Sequence, residues 1–239
     1  MKKQFIGDRA FYRMLLKIAV PIIIQQGITQ FVNMLDNIMV GQVGTLAMSG
    51  VSIANELLLI LMLSIFGTVS AVSIFSAQYF GQQNYKGVHQ CFRIKFLLLG
   101  VLTAAAAFVY LVFGKQLISF YMNPDANTPQ AITETAGYAW NYMRIMVFGY
   151  IPFAVCQIFS STVRESGETV LPMYASVSAV LTNLVFNYIL IFGHFGLPAL
   201  GSTGAAVATV ISRFVELGVI TAGLALHREN YPFLEGIAE

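Results

Sequence analysis

Asp36 is the residue whose chemistry most needs an explanation. It stands in the stretch FVNMLDNIMVGQVG, Phe31 to Gly44, beside Asn33 and Asn37 and otherwise among Phe, Val, Met, Leu and Ile. Gln26, Gln30, Asn33 and Asn37 follow at steps of 4, 3 and 4; Gln25, Thr29, Asn33 and Asp36 follow at 4, 4 and 3. On a helix those spacings fall along one stripe. A carboxylate surrounded by amides and a hydroxyl presents oxygen donors, a set that suits a hard cation or a proton. Other groups of the same kind occur far along the chain. Asn183 and Asn187 are one turn apart, Ser202, Thr203 and Thr209 follow a short loop, and Glu56, Arg144, Arg213 and Glu216 stand in apolar runs of their own.

The elements that position these residues follow from composition. Of the 239 residues, 57% are hydrophobic and 10% charged, with mean hydropathy +0.72. Soluble domains carry about 25% charged residues, and a soluble chain of this length cannot hide so much apolar surface from water. The chain reads as all-α integral membrane protein. A bilayer core takes about 20 apolar residues per helix, and six runs qualify, roughly 14–40, 47–76, 92–113, 135–158, 170–192 and 203–226. They are continuous, unlike the ~10-residue alternating strands of a membrane barrel. Residues 1–13 form an amino-terminal segment and 227–239 a tail. The basic start, MKKQFIGDRAFYRM, is followed directly by spans, with no cleavage site opening a soluble domain.

Charge sets the expected topology. Lys2, Lys3, Arg9, Arg13, Lys17, Lys86, Arg93, Lys95, Arg164 and Arg228 lie on one side, and Lys115 alone lies on the other. The positive-inside rule then puts both termini in the cytoplasm of a plasma or inner membrane. The net charge of +2 reflects that orientation, and no basic patch for nucleic acid stands out. Cys91 and Cys156 fall near cytoplasmic helix ends and imply no disulfide framework. The loop at 114–134 carries the turn-rich NPDANTP, Asn123 to Pro129.

Depth follows from topology. Span 1 runs outward, so Asp36 lies in the outer half, and Asn183 and Asn187 of span 5 share that level. Spans 2 and 6 enter from outside, which adds Glu56 and the hydroxyls of Ser202, Thr203 and Thr209. A polar stripe on a membrane helix must face protein or a water-filled cavity. Asn and Thr often serve only as hydrogen-bond glue between helices. A charge at the bilayer centre is different, since it costs about 2.5–3.5 kcal/mol on insertion scales, and so Asp36 points to function. Arg213 and Glu216, at i,i+3, form a self-neutralising local pair. Arg144 either snorkels outward or pairs with Asp36 or Glu56 across the bundle. Gly201/Ala205 and Gly204/Ala208 allow close helix packing, and Pro21 can bend span 1. There is no G-x-x-x-x-G-K-[ST], H-E-x-x-H or G-x-S-x-G, and the three histidines stand apart. An enzyme is disfavoured.

At this point the chain resembles the multidrug and toxic compound extrusion (MATE) family. The resemblance rests on Pro21, Asp36 and MVGQVG (Met39 to Gly44), AQYFGQQN (Ala77 to Asn84), RESGETVLPM (Arg164 to Met173), NLVFNYILIFG (Asn183 to Gly193) and GLPALGSTGAAVATVISR (Gly196 to Arg213), in that order. It implies one six-helix lobe of a twelve-helix secondary antiporter. Such a protein expels small organic cations in exchange for Na⁺ or H⁺ and needs no other cofactor. The resemblance maps the cation site onto Asp36, Asn183, Asn187 and Thr203, with Asp36, Asn183 and Asn187 as ligands if the ion is Na⁺. Gln26, Gln30, Asn33, Asn37, Glu56 and Arg144 are candidates for the substrate cavity. Some relatives carry an acid where Asn187 stands. The chain ends just past span 6, at HRENYPFLEGIAE, so the implied partners are membrane lipid and a second lobe, covalent or as a paired chain. Two alternatives are a lipid-linked oligosaccharide flippase of the same superfamily, whose cavity would carry several cations, and a non-transporting membrane subunit.

Overall fold

The computed structural model describes residues 8–122, 128–227, 229 and 231. The expected tail and the first seven residues, and positions 123–127 of the NPDANTP loop, lie largely or wholly outside them. Six helices account for nearly all the rest: α1 Arg9–Val43, α2 Thr45–Gly81, α3 Tyr85–Phe120, α4 Pro129–Glu165, α5 Val170–Phe192 and α6 Ser202–Leu226. All six are long and apolar enough to cross a membrane. The first four run well beyond the apolar stretches read from the sequence. At 35–37 residues each they measure about 52–56 Å, against an apolar core of about 30 Å. Hydropathy marks only the part of a helix that meets acyl chains, whereas backbone hydrogen bonding carries the helix on into the interface.

Local sequence fixes the ends. Asp8 caps α1 by accepting from the Phe11 N–H at 2.7 Å, and Asn84 caps α3 by accepting from Gly87 N–H at 3.2 Å. Thr128 caps α4, with Pro129 in the first turn, where its missing N–H costs nothing. Gly193 ends α5 in the left-handed region, φ 75°.

α4 is the most enclosed helix, packed against α2, α3 and α6. α5 and α6 form a tight hairpin, and α1 leans mainly on α5. Gly204 explains the hairpin: a Cβ there would stand 2.6 Å from the Leu190 carbonyl oxygen, so only glycine lets the two backbones meet. Gly50 does the same between α2 and α4, where a Cβ would reach 2.7 Å from Thr135 O. The small-residue pairs expected to pack do so, with Gly204, Ala205 and Ala208 all buried. α1 is the exception to this packing. Only Val32 and Val40 of its 35 residues are buried, and Pro21 interrupts its hydrogen-bond ladder.

The charge map needs one revision. Lys95, counted among loop-flanking cations, is fully buried within α3. Its Nζ donates to Glu165 Oε1 at 2.5 Å, Ser161 Oγ at 3.0 Å and Thr162 Oγ1 at 3.3 Å on α4. Cys91 and Cys156 are free and buried.

Candidate cation-binding site

Helices α1, α5 and α6 bring together residues that are 151 positions apart in sequence. Asn187 Nδ2 donates to Asp36 Oδ1 at 2.7 Å and to Asn183 Oδ1 at 3.0 Å. Asn183 Nδ2 donates to Thr209 Oγ1 at 3.1 Å, and Thr209 Oγ1 donates to the Ala205 carbonyl at 3.0 Å. Asn183 and Asn187 are buried, and Asp36 is half-buried. Spacing explains the convergence: i,i+4 on α5 stacks the two amides on one face, and the close α5–α6 approach at Gly204 sets Thr209 beside them.

The Asn183 amide can present either end to Asp36, and with its nitrogen toward the carboxylate both groups are satisfied. As placed, the Asn183 carbonyl oxygen stands 2.7 Å from Asp36 Oδ2, acceptor against acceptor. Turning that amide over gives Asp36 Oδ2 a donor at 2.7 Å and lets Asn183 Oδ1 accept from Thr209 Oγ1 at 3.1 Å, with the Asn183 and Asn187 nitrogens 3.0 Å apart. A proton on Asp36 Oδ2 resolves the first arrangement, because the carboxylic acid then donates to Asn183. A metal cation among the oxygens resolves it equally. Asn187 Oδ1 is buried and has no partner, a free lone pair of the kind a cation would use.

These groups open on a cavity of about 360 Å³, a volume suited to a small molecule. Asn33, Asn37 and Asn55 add amides to its wall, Tyr142, Tyr150 and Met146 add aromatic and thioether surface, and Arg213 supplies a cation. Arg213 Nη1 donates to Glu216 Oε2 at 3.1 Å, as the i,i+3 spacing anticipates, and its guanidinium lies 4.6 Å from the Phe153 ring centroid. Among the described residues no three His, Cys, Asp or Glu side chains gather, so the chemistry on offer is that of amide, hydroxyl and carboxylate oxygen.

The structure brings some of the expected site residues together and leaves others apart. Asp36, Asn183 and Asn187 come together, and Asn33 and Asn37 line the cavity. Thr203 does not join them: it sits half-buried in the first turn of α6, about 9 Å of helix rise from Thr209. The hydroxyl at the site is that of Thr209. Hairpin counting carried this signal, since Asn183 lies nine residues before the end of α5 and Thr209 seven after the start of α6. Glu56 is exposed and off the cavity, while its neighbour Asn55 lines it. Arg144 is likewise exposed, while Met143 turns inward. One residue is about 100° around a helix, and apolar runs without strong amphipathicity do not fix that angle. Gln26 is exposed away from the cavity, and Gln30 lines a shallow neighbouring groove with Asn33 and Asn37. The stripe on α1 thus covers two adjoining faces. Gln25, on the inner one, accepts from Arg164 Nη2 at 3.3 Å.

Comparison with known proteins agrees with this architecture. The MatE family model matches residues 21–189. Proteins described as probable multidrug resistance protein NorM are similar: that of Thermotoga maritima is 26% identical over 223 residues, covering 93% of this chain and 46% of that protein. That of Bacillus subtilis is 27% identical over 238 residues, covering 98% and 49%. Among solved structures, a MATE protein in the bent conformation superposes with a TM-score of 0.76 at 18% identity, covering 93% of this chain and 46% of that one. A MOP superfamily transporter from Pyrococcus furiosus, described by the reverse polarity of its binding pocket, gives 0.74 at 18% identity over 92% and 46%. The chain spans about half the length of the curated relatives it matches. With its six apolar helices and a family match across most of its length, the chain belongs to the MatE family.

Proposed function

We propose that the chain is one lobe of a secondary antiporter that exports small organic cations in exchange for Na⁺ or H⁺, and that Asp36 is the coupling carboxylate. The observation that carries this reading is a half-buried carboxylate, Asp36, held by Asn187 at 2.7 Å on the wall of the cavity. With the ion bound, Asp36 is neutral and the amide network closes around it. With the ion gone, Asp36 is an anion within the cavity, and a cationic substrate takes the ion's place. One group then serves both ligands in alternation, which is the requirement for exchange, and each ligand biases the packing that suits it. An electrical potential adds about 2.3 kcal/mol per charge per 100 mV.

The α1 helix is placed to respond. Asp36 holds its outer half to α5, Gln25 holds its inner half to Arg164, and little else of it is buried. The edge of Gln30, Asn33 and Asn37 is exposed and needs protein or water over it in a membrane. A second lobe supplies that cover, with both termini cytoplasmic. A flippase for lipid-linked sugar would call for several cations in the cavity; of the two arginines considered, only Arg213 lines it.

The test is Asp36→Asn in the complete protein, with efflux of a fluorescent organic cation followed under an imposed Na⁺ or H⁺ gradient. Loss of gradient-driven efflux is expected. Unchanged coupled efflux would remove Asp36 from the mechanism, and no flux from the wild-type protein would favour a non-transporting subunit.

A further inference from the structure

We propose that the back of α1, along its first half, is a binding surface for an anionic phospholipid in the leaflet at the amino-terminal end of the helix. Arg9, Arg13, Lys17, Val20, Ile24 and Phe31 follow one another at steps of 4, 4, 3, 4 and 7, which sets them on one helical face. All six are exposed. Below this level the bundle offers no cover, since every residue from 8 to 17 is exposed. Asp36 is level with Asn187, and α5 begins 17 residues before Asn187, at Val170. By the same rise α1 meets the start of α5 at Ala19, so about 15 Å of helix projects past it. Among the described residues Arg9, Arg13 and Lys17 make no ion pair. The neighbouring carboxylate, Asp8, is engaged by the Phe11 N–H.

Direction and chemistry identify the occupant. Gln25, Asp36 and the buried Val32 and Val40 face the bundle. At 100° per residue the basic stripe points nearly opposite to them, and about 120° away from the edge of Gln30, Asn33 and Asn37. Neither the bundle nor a lobe seated on that edge covers it, and lipid does. The stripe is ordered as a phospholipid is. Three cations occupy its outer end, about 12 Å of rise from Arg9 to Lys17, and Val20, Ile24 and Phe31 continue it toward the bilayer centre. Arginine binds phosphate through paired hydrogen bonds, and the lysine stem lets Lys17 reach back to the headgroup level. Acyl chains then lie against the exposed apolar half of the stripe. Charge decides between lipids: each cation near the surface favours an anionic headgroup about fivefold, whereas a zwitterionic headgroup offers no net charge.

The test titrates the complete purified protein, in uncharged detergent, with fluorescent short-chain phosphatidylglycerol and with the matching phosphatidylcholine. The wild-type protein is expected to bind phosphatidylglycerol about tenfold or more tighter, with the preference shrinking as salt is raised. Replacing Arg9, Arg13 and Lys17 together by Gln brings the ratio to about one. Lys86→Gln with Arg93→Gln, which removes two exposed cations of α3, retains the preference. If the triple variant unfolds at a lower temperature than wild type, Arg13→Gln alone takes its place and is expected to lose about fivefold. Glycerol phosphate, the headgroup without chains, should displace the lipid only at about a hundredfold higher concentration or more, because it forgoes the apolar half of the stripe. The proposal is overturned if the wild-type protein binds neither lipid or shows no preference, or if the folded α1 variant keeps the preference. It is equally overturned if the α3 variant loses as much as the α1 variant, which would mean surface charge without a site, or if glycerol phosphate competes as well as the lipid. Binding in detergent reads this surface whether or not the protein exchanges ions for substrate.

Discussion

At the scale of the residue, Asp36 differs from its neighbours in being the carboxylate on the wall of the cavity. Asn187 donates to it at 2.7 Å, and Asn183 does the same with its amide turned. Removing Asn187 should therefore weaken ion binding without removing the charge that attracts the ion. Asn187→Ala is expected to raise the ion concentration needed for half-maximal efflux by about tenfold, the scale of one hydrogen bond to a charged group, with Asp36→Asn far more severe. Ion-titrated efflux measures both, and equal defects would mean that the amide holds the helix rather than the ion. The other buried charge pair has a different logic. Lys95 is fully enclosed with Glu165, so Lys95→Met alone strands an anion and should cost about 3–5 kcal/mol, while Lys95→Met with Glu165→Leu should cost much less. Thermal unfolding in detergent separates these outcomes, and additive losses would argue against a paired site.

At the scale of the element, the site exists because two helices approach at backbone distance. Gly204→Val would drive a side chain into the Leu190 carbonyl, 2.6 Å from the position of its Cβ, and should destabilise the protein by about 1–3 kcal/mol while pushing Thr209 away from Asn183. A lowered melting temperature together with weakened ion affinity is expected; unchanged affinity would show that the hairpin does not set the site. Much of this was legible in sequence. Helical period placed Asp36 on a polar stripe and stacked Asn183 on Asn187, and span direction put all three at one depth. The facing angle of weakly amphipathic helices was not legible, so Glu56 and Arg144 stood as cavity candidates, where Asn55 lines the cavity and Met143 is buried. Nor was the Lys95–Glu165 pair, whose members are 70 residues apart and are joined only when α3 packs on α4. Thr209 was weighed beside Thr203 and family mapping favoured Thr203, whereas the hydroxyl within reach of Asn183 is that of Thr209, because position within the hairpin decides which one meets it.

At the scale of the molecule, the account needs a bundle oriented with its basic turns inward. Lys86 and Lys115 are exposed near opposite ends of α3, and the native cysteines are buried. Lys115→Cys should react with an impermeant thiol reagent in intact cells and Lys86→Cys only after permeabilisation; the reverse pattern would invert the topology. The central claim is exchange at one carboxylate, and it is tested most directly by adding an organic cation to the purified, lightly buffered complete protein and measuring the H⁺ or Na⁺ that leaves. The account predicts close to one ion released per substrate bound by the wild-type protein and none from Asp36→Asn. Undiminished release from that variant would contradict it.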